Sequence, residues 1–386
     1  MPLFETLERL APEMIEWRRD FHRHPELSGA ETRTAAAVAS RLRALGLEVT
    51  DAIGGTGVVA VVTGAEPGPS IALRADMDAL PMNEEGNRAY ASTVTGAAHA
   101  CGHDGHTAAL LGVAHHLARH PPCKGRVVLV FQPAEENGEG AAAMIGDGLL
   151  ERFTFDEIYA FHNMPLLPPG TAAVRTGPTL NGYRIWEAEV RGVGGHGAAF
   201  FKTVDPLQAA ARLAVEISSI VGRFVDPAEP ALITVGKLQA GISHNIIPAA
   251  AELGGTLRAL RVDVLDLLEQ QLERACAGIA TATGVTIDCR IVASVPPCVN
   301  APEAAEVAAS SCAAVLGTAN VVRDAAPYPF TDDFARFLEA APGAYLFLGQ
   351  DGAMCHNPAY DFDDRLLTIA GSIFLNIIDS RLGLSA

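Results

Sequence analysis

Positive charge is scarce in this 386-residue chain, which carries 28 Lys and Arg against 45 Asp and Glu, a formal net charge of −17. A surface of this sign repels the phosphates of nucleic acids and the headgroups of anionic lipids. The sequence therefore predicts no nucleic-acid partner and no membrane partner. An anionic small molecule would need locally placed Arg, Lys or His side chains.

Long apolar runs and paired cysteine motifs are also missing. No stretch of about 18 uncharged apolar residues occurs, as a membrane-spanning helix requires. The first ten residues, MPLFETLERL, contain no basic segment followed by an apolar one, as a secretory signal does. The seven Cys include no C-x-x-C pair, which argues against a zinc ribbon and a disulfide framework. These features favour a cytoplasmic protein with reduced thiols.

Motifs of several large enzyme classes are missing too. The chain has no G-x-S-x-G, no G-x-x-x-x-G-K-[ST] and no H-E-x-x-H. Segment 55–60 matches the dinucleotide-binding pattern loosely. It opens a strand, so a pyrophosphate would find no helix N-terminus there, and a turn is the better interpretation.

Apolar strands alternate with Ala-rich helices over the first 180 residues. Short runs rich in Val, Ile, Leu and Phe are typical of strands buried on both faces, and they cover 58–62, 71–75, 127–131 and 158–161. Helices are predicted over 107–118 and 140–150, and Ser28 and Glu31 form a capping box for a helix that ends at Gly46. This alternation predicts an α/β domain with a mostly parallel central sheet.

The pattern changes near residue 183. Alternating apolar and polar residues predict a strand over 184–191, and a helix over 205–222 follows. Next come strands over 231–238 and 251–260, a helix over 262–283 and a strand over 285–293. The order β-α-β-β-α-β is that of a ferredoxin-like α+β unit. The earlier pattern resumes after Pro297, so we expect one discontinuous α/β domain, 1–182 and 295–386, interrupted by an inserted domain, 183–294.

The densest polar cluster is HACGHDGH at 99–106. Thiolate and imidazole are good ligands for Zn²⁺ and related ions. Cys101 and His103 lie in a glycine-containing loop before a helix, so both side chains can point at one centre. Loops of this kind also simply cap helices, and the cluster alone leaves both interpretations open.

Further polar groups follow the ends of apolar strands. Glu135 and Glu136 come just after the strand at 127–131, where adjacent carboxylates are costly unless a cation is near; the alternative is an acidic helix N-terminus. His162 follows the strand at 158–161, and His356 follows another at 344–348. Sites in open α/β sheets gather at the carboxyl ends of strands. Together these groups predict a metal centre.

The sequence resembles the M20 metallopeptidases, in particular the amidohydrolase branch with hippurate hydrolases, aminoacylases and indoleacetyl-amino-acid hydrolases. The resemblance covers almost the whole chain. It rests on RDFHRHPE at 19–26, RADMDALP at 74–81, HACGHDGHT at 99–107, FQPAEE at 131–136, GGHG at 194–197 and HNPAYDFD at 356–363. It implies a metal-binding catalytic domain with a zinc-peptidase-like fold, interrupted by a lid and dimerisation domain.

The resemblance also implies a ligand set. Two divalent ions per subunit, Zn or Mn by ligand type with Co or Ni also possible, would be held by Cys101, His103, Glu136, His162 and His356. Cys101 would be the bridging thiolate.

Other roles follow from the same resemblance. Glu135 would be the general base. Asp78 would not bind the metal itself but would support the residues that do. His196 of the inserted domain would reach the active site of the neighbouring subunit and stabilise the oxyanion. Asn245 and Arg258 would hold the substrate carboxylate, a task that suits the planar fork of donors in Arg.

The chain departs from the family pattern at two places. The Gly-His-Gly loop usually continues with Pro-His, where Phe200 and Phe201 stand here. The usual Glu-Asp-Phe near the end is Asp332-Asp333-Phe334. The first departure removes a polar residue that could face the substrate, and it leaves the acyl group open.

We therefore expect a hydrolase of linear amide C–N bonds. It would cleave small-molecule N-acyl amino acids, hippurate-like or related, to a carboxylic acid and an amino acid, as a homodimer or dimer-based oligomer. A dipeptidase or a deacetylase of another amino-acid derivative is the alternative on the same fold. A metal- or ligand-binding protein without turnover is a third possibility, against which the presence of Glu135 and the full ligand set argues.

Overall fold

The computed structural model describes residues 3–385. The α-helices are α1 (Leu3–Arg23), α2 (Thr32–Ala44), α3 (His103–Leu117), α4 (Gly140–Gly146), α5 (Leu149–Arg152), α6 (Pro206–Phe224), α7 (Val262–Thr283), α8 (Pro302–Leu316), α9 (Ala335–Ala340) and α10 (Arg365–Leu382). Two 3-10 helices are Gly197–Lys202 and Thr318–Asn320. Within 3–385, no helix combines the length and the apolar character needed to cross a bilayer.

The strands are β1 (Glu48–Ile53), β2 (Gly57–Thr63), β3 (Glu66–Asp76), β4 (Lys124–Gln132), β5 (Glu157–Met164), β6 (Ala172–Ala173), β7 (Gly177–Leu180), β8 (Gly182–Arg191), β9 (Gly195–His196), β10 (Ala231–Ala240), β11 (Ile246–Ile247), β12 (Ala250–Ala259), β13 (Thr286–Val295), β14 (Cys298–Asn300), β15 (Val321–Val322) and β16 (Gly343–Gly349). The runs that the sequence predicts as strands fall in β2, β3, β4, β5, β8, β10, β12, β13 and β16.

The chain divides into two compact units. Among the described residues, the first unit contains 3–179, 299–326 and 332–385, and the second contains 180–298 and 327–331. The sequence analysis assigns 327–331 to the first domain, and the structure differs there. The N–H of Asn181 donates to the carbonyl of Phe330 (2.9 Å), and Leu180 pairs with Tyr328. These backbone contacts attach the short segment to the second unit.

An eight-stranded sheet in the order β1-β2-β4-β3-β5-β16-β6-β15 forms the centre of the first unit. The four middle strands β4, β3, β5 and β16 are parallel, whereas β1 and β2 pair antiparallel at one side. Residues 127–131 of β4 are completely buried, as expected for a parallel strand covered on both faces. Helices α1, α2, α3, α8 and α10 pack apolar side chains against those of the central strands to form the main core. The predicted α/β fold with a mostly parallel central sheet is confirmed.

The parallel arrangement places the carboxyl ends of four strands at one edge of the sheet. Asp76 ends β3, Gln132 ends β4, and His162 lies two residues before the end of β5. Gly349 ends β16 in the same direction. The polar residues that follow these strands are therefore neighbours in space, although the chain separates them widely.

The second unit has a four-stranded antiparallel sheet in the order β10-β12-β8-β13, with α6 and α7 packed on one face. The chain order β8-α6-β10-β12-α7-β13, with β8 and β12 in the middle, is a ferredoxin-like arrangement. Along β8, Trp186, Ala188 and Val190 are buried, while Glu187 and Glu189 are not. This two-residue period matches a sheet with one covered face.

The start of α2 differs from the predicted capping box. The helix begins at Thr32, and the carboxylate of Glu26 accepts the N–H groups of Arg33 (2.9 Å) and Thr34 (2.8 Å). The hydroxyl of Ser28 donates instead to Asp78 (2.7 Å). The predicted cap was wrong because Ser28 has a stronger acceptor in the tertiary structure than the helix start can offer.

A buried charged network joins α1 to α3. The ring of His22 lies between the carboxylates of Asp104 (2.9 Å) and Glu84 (2.8 Å), and Arg18 also contacts Asp104 (3.3 Å). Burial disfavours the charged imidazole, but the two hydrogen bonds outweigh burial and raise the pKa of His22 to about 9. His22 thus acts as a buried cation between two helices.

Candidate metal centre

A glycine turn brings Cys101 and His103 to the edge of the sheet. Gly102 has φ of 108°, and a Cβ on it would lie 2.2 Å from Oδ1 of Asn163 and 2.6 Å from the hydroxyl of Tyr360. Only glycine fits both the backbone conformation and the space. The turn ends where α3 begins, so the two side chains enter the same region from adjacent positions.

Five side chains at this edge form two overlapping groups of metal-binding atoms. One group contains Cys101, His103 and His162, and the other contains Cys101, Glu136 and His356. Within each group the ligand atoms lie within 4.8 Å of one another. Sγ of Cys101 is 3.3 Å from Nε2 of His162, and Oε2 of Glu136 is 3.4 Å from Nε2 of His356. The structure thus brings together all five residues that the sequence analysis names, with Cys101 in both groups.

Two atoms of the centre are buried without a hydrogen-bond partner among the residues described. They are Nε2 of His103 and Oε1 of Glu136, 3.8 Å apart. Leaving such atoms unpaired is costly. An ion bound at about 2.0–2.2 Å from each would satisfy both. The set of one thiol, three imidazoles and one carboxylate fits Zn or another transition ion better than Mg or Ca.

Asp78 lies behind two of these side chains. Nδ1 of His103 is 3.1 Å from Oδ1 of Asp78, and the N–H of Glu136 donates to Oδ2 (2.9 Å), which Ser28 also contacts. Burial opposes ionisation of Asp78, but the hydrogen bond with His103 and the others lower its pKa below the ordinary value. An ionised Asp78 fixes the ring of His103 with Nε2 toward the centre, as carboxylates behind metal ligands commonly do.

Glu135 and Glu136 are adjacent carboxyl groups with little exposure. Burial, reinforced by the negative charges of Asp332 and Glu136, raises the pKa of Glu135 well above its ordinary value. Burial also raises the pKa of Glu136 to about 7, although His103 opposes the shift. Oε2 of Glu135 lies 3.8 Å from Nε2 of His103. Buried carboxyl groups that repel one another favour a cation between them. A carboxyl group with a raised pKa is also suited to proton transfer.

Arg74 forms a buried cluster of charges behind Glu135 to which the sequence analysis gave no role. It donates to Asp76 (2.6 Å), Asp332 (3.0 Å) and Gln132 (2.8 Å). Carboxylate oxygens of Glu135, Asp332 and Asp333 lie within 4.8 Å of one another. The sequence did contain a signal for this cluster: Arg74 lies inside an apolar strand, and a buried Arg needs carboxylate partners.

Glu31 is a second residue whose role the sequence analysis missed. Its buried carboxylate accepts the N–H groups of Ala134 and Gly29 (2.8 Å each) through Oε1 and the hydroxyl of Thr56 (2.6 Å) through Oε2. Ala134 has φ of 52°, a left-handed conformation that disfavours alanine. Glu31 therefore holds the turn at 133–136. No local pattern indicates a partner 103 residues away.

The predicted substrate residues lie in the second unit. Strand β9 pairs with β11, and the N–H of Gly197 donates to the carbonyl of Asn245 (2.8 Å), so His196 and Asn245 are on adjacent segments. His196 is exposed, and its Nδ1 accepts the N–H of Ala198 (3.0 Å). Arg258 is half-buried on β12, donates to the hydroxyl of Thr331 (3.1 Å), and has its guanidinium 5.5 Å from the ring centre of Tyr183.

Comparisons with known proteins show which family the chain resembles. The sequence profile of peptidase family M20/M25/M40 matches residues 72–380. The chain is 38% identical to the hippurate hydrolase of Campylobacter jejuni, over 98% of each protein. It is 36% identical to an N-acetylcysteine deacetylase of Bacillus subtilis, over 94% of this chain and 95% of the relative.

A solved structure is similar over nearly its whole length. It is a dinuclear metal-binding peptidase of family M20 from Bacillus subtilis, with 32% identity and a TM-score of 0.85 over 97% of this chain and 99% of that chain. The resemblance inferred from the sequence motifs is confirmed: the chain belongs to peptidase family M20/M25/M40.

Proposed function

We propose that this chain is a metal-dependent amidohydrolase that cleaves N-acyl amino acids to a carboxylic acid and an amino acid. It is a hydrolase of amide bonds, as its family and relatives indicate. Hippurate and N-acetylcysteine, named for two of those relatives, are both N-acyl amino acids. The observation that carries the proposal is the pair of ligand groups sharing Cys101, with Glu135 beside them.

The five candidate ligands would hold two divalent ions, Zn or Mn by donor type. Bound there, such ions polarise the scissile carbonyl and lower the pKa of water. Asp78 keeps Nε2 of His103 and the backbone of Glu136 aimed at the centre. Glu135 takes the proton from the attacking water and passes it to the leaving nitrogen.

We assign the second unit the roles of lid and dimer contact. Its exposed apolar side chains include Val215 (74%) and Phe224 (50%) on α6 and Leu238 (44%) on β10. Strand β10 is at the edge of its sheet, and an exposed apolar edge favours pairing with another chain. A homodimer would cover these groups. His196 of one subunit would then stabilise the oxyanion in the active site of the other.

The substrate carboxylate would be held by Asn245 and Arg258, whose side chains offer amide and guanidinium donors. Phe200 and Phe201 are 67% and 72% exposed, with ring centres 6.1 Å apart. They would provide an apolar contact for the acyl group, which favours benzoyl over acetyl.

Deacetylation is the second candidate, because the similarity to the N-acetylcysteine deacetylase is almost as high. A reducing cytoplasm fits a centre that depends on a thiol.

The direct test is release of free amine from benzoyl-, acetyl- and indoleacetyl-amino acids and from dipeptides. Chelation should abolish turnover, and Zn, Mn or Co should restore it. Glu136→Gln should lose metal first, whereas Glu135→Gln should keep metal and lose turnover. Cleavage of dipeptides alone would make the protein a dipeptidase. Full turnover without metal, or none with metal bound, would contradict the proposal.

A further inference from the structure

A second thiol, that of Cys355, lies beside Cys101. The Cys355 thiol donates to the carbonyl oxygen of Cys101 (3.7 Å). The N–H of His356 donates to the carbonyl of Ala100 (2.7 Å). This bond holds the two chain segments side by side, although they are 254 residues apart.

The surroundings keep the Cys355 sulfur in this position and leave it reachable. The amide of Asn163 contacts this sulfur (3.6 Å), and the same amide donates to the hydroxyl of Tyr360 (2.7 Å). Cys355 is partly exposed and follows a loop at 351–354 whose first two residues are exposed, while Cys101 is 7% exposed. A small oxidant can therefore reach Cys355 first, and Cys101 is the adjacent thiol.

We propose that Cys101 and Cys355 form a reversible disulfide when the centre holds no metal, and that disulfide and metal compete for the same sulfur. Sγ of Cys101 belongs to both ligand groups, so a disulfide removes the one donor they share. The competition rests on the proposed function, because it requires Cys101 to bind metal. Formation of the disulfide does not.

The oxidant we name is hydrogen peroxide. Its O–O bond breaks as one thiol becomes a sulfenic acid and one water leaves. The second thiol then attacks that sulfur, the S–S bond forms, the S–O bond breaks, and a second water leaves. Two thiols and one peroxide thus give one disulfide and two waters, and the two electrons lost by sulfur reduce the peroxide. A dithiol reductant reverses the product. The two sulfurs must approach to about 2.05 Å, which the loop before Cys355 can accommodate.

The second unit offers an internal control. Cys276 lies on α7 and Cys289 on β13, two elements that pack against each other. Both cysteines belong to the core of that unit and to neither ligand group. Their oxidation should not respond to metal at the centre.

The test uses full-length protein, stripped by chelation or loaded with zinc, treated with peroxide and mapped by mass spectrometry of unreduced peptides. We expect a Cys101–Cys355 link in the stripped protein, formed at least about tenfold more slowly with zinc bound. Oxidation at Cys276 and Cys289 should proceed equally in both forms. Reductant should restore zinc uptake to the oxidised, stripped protein.

Two variants sharpen the test. In Cys355→Ser the thiol that the oxidant reaches first is gone and no link to Cys101 can form, so peroxide treatment of the stripped protein should leave its zinc uptake close to that of the untreated variant. Cys123→Ser, which removes an exposed thiol elsewhere in the first unit, should behave as wild type.

Several results would overturn the inference. They are the absence of a Cys101–Cys355 link in stripped wild type, an equal rate of linking with zinc bound, and a loss of zinc uptake in peroxide-treated Cys355→Ser as large as that in wild type. A metal-sensitive link in a protein that hydrolyses no amide would leave the inference intact and contradict the proposed function alone.

Discussion

Replacing Glu31 by Ala should impair catalysis, although Glu31 is not among the candidate ligands. Its carboxylate accepts N–H groups from Gly29 and Ala134 and the hydroxyl of Thr56. Gly29 is exposed, so water replaces the carboxylate there. Ala134 is buried, and its N–H loses its acceptor inside the protein. The turn at 133–136 then loses the bond that supports its left-handed residue.

The expected loss follows from that one bond. A buried hydrogen bond to a charged group contributes about 1.5–3 kcal/mol. The left-handed conformation of Ala134 itself costs about 1–2 kcal/mol, so the turn has reason to relax once the bond is gone. If the conformation of the turn that supports catalysis is destabilised by about 2–3 kcal/mol relative to other conformations, its population falls on the order of a hundredfold. Because Glu135 and Glu136 follow Ala134 directly, kcat and zinc affinity should both fall.

Two variants separate this effect from general destabilisation. Glu31→Gln keeps an oxygen acceptor for Ala134 and should retain most activity. Glu26→Ala removes a carboxylate from the same helix start, where it accepts hydrogen bonds from Thr32, Arg33 and Thr34. Loss of that cap should cost about 0.5–2 kcal/mol of stability and leave kcat unchanged.

The assays are kcat and KM with an N-acyl amino acid, zinc titration, and urea unfolding of each variant. We expect Glu31→Ala alone to combine a lower kcat with weaker zinc binding. If Glu31→Ala and Glu26→Ala lost the same stability and had the same kcat, the turn at 133–136 would not depend on the hydrogen bond between Glu31 and Ala134. A Glu31→Gln protein as inactive as Glu31→Ala would show that the charge, rather than the acceptor, is what matters.

Four further predictions follow from the same structure. Glu135→Gln should keep its metal and lose kcat by on the order of a hundredfold or more, which metal analysis beside kinetics checks; loss of metal would reassign the residue. His196→Ala should also keep metal and lose kcat roughly a hundredfold, and mixing it with Glu135→Gln chains should recover activity; no recovery after verified subunit exchange would place the whole site in one chain. Phe200→Pro/Phe201→His should lower the ratio of kcat/KM for benzoyl- over acetyl-amino acids, and an unchanged ratio would make the rings structural. Finally, the pKa of about 9 for His22 exceeds the unfolded value of about 6.5, so its stabilising effect is complete below pH 6.5 and is lost as pH rises through 9. Urea unfolding between those pH values should show a fall on the order of 3 kcal/mol that His22→Gln removes, and an identical slope in that variant would refute the assignment.

The strands and most of the candidate site could be predicted from the sequence because their signals are local. Apolar runs such as 127–131 indicate buried strands wherever they occur. In a parallel sheet the carboxyl ends of such strands lie at one edge, so polar residues just beyond them become neighbours. That rule, together with the family motifs, is enough to indicate the region in which a larger set of residues meets: Cys101, His103, Glu136, His162 and His356.

Only the tertiary structure revealed the contacts that support this centre. Glu31 and Ala134 are separated by 103 residues, Arg74 and Asp332 by 258, and Cys101 and Cys355 by 254. Such pairs leave no periodicity in the sequence, since neither residue's local pattern depends on the other. A buried carboxylate or thiol finds its partner only after the sheet has brought distant segments together. The tertiary structure also decides the partner of Ser28. The local sequence predicts Ser28 as a helix cap, but in the folded chain its hydroxyl donates to Asp78.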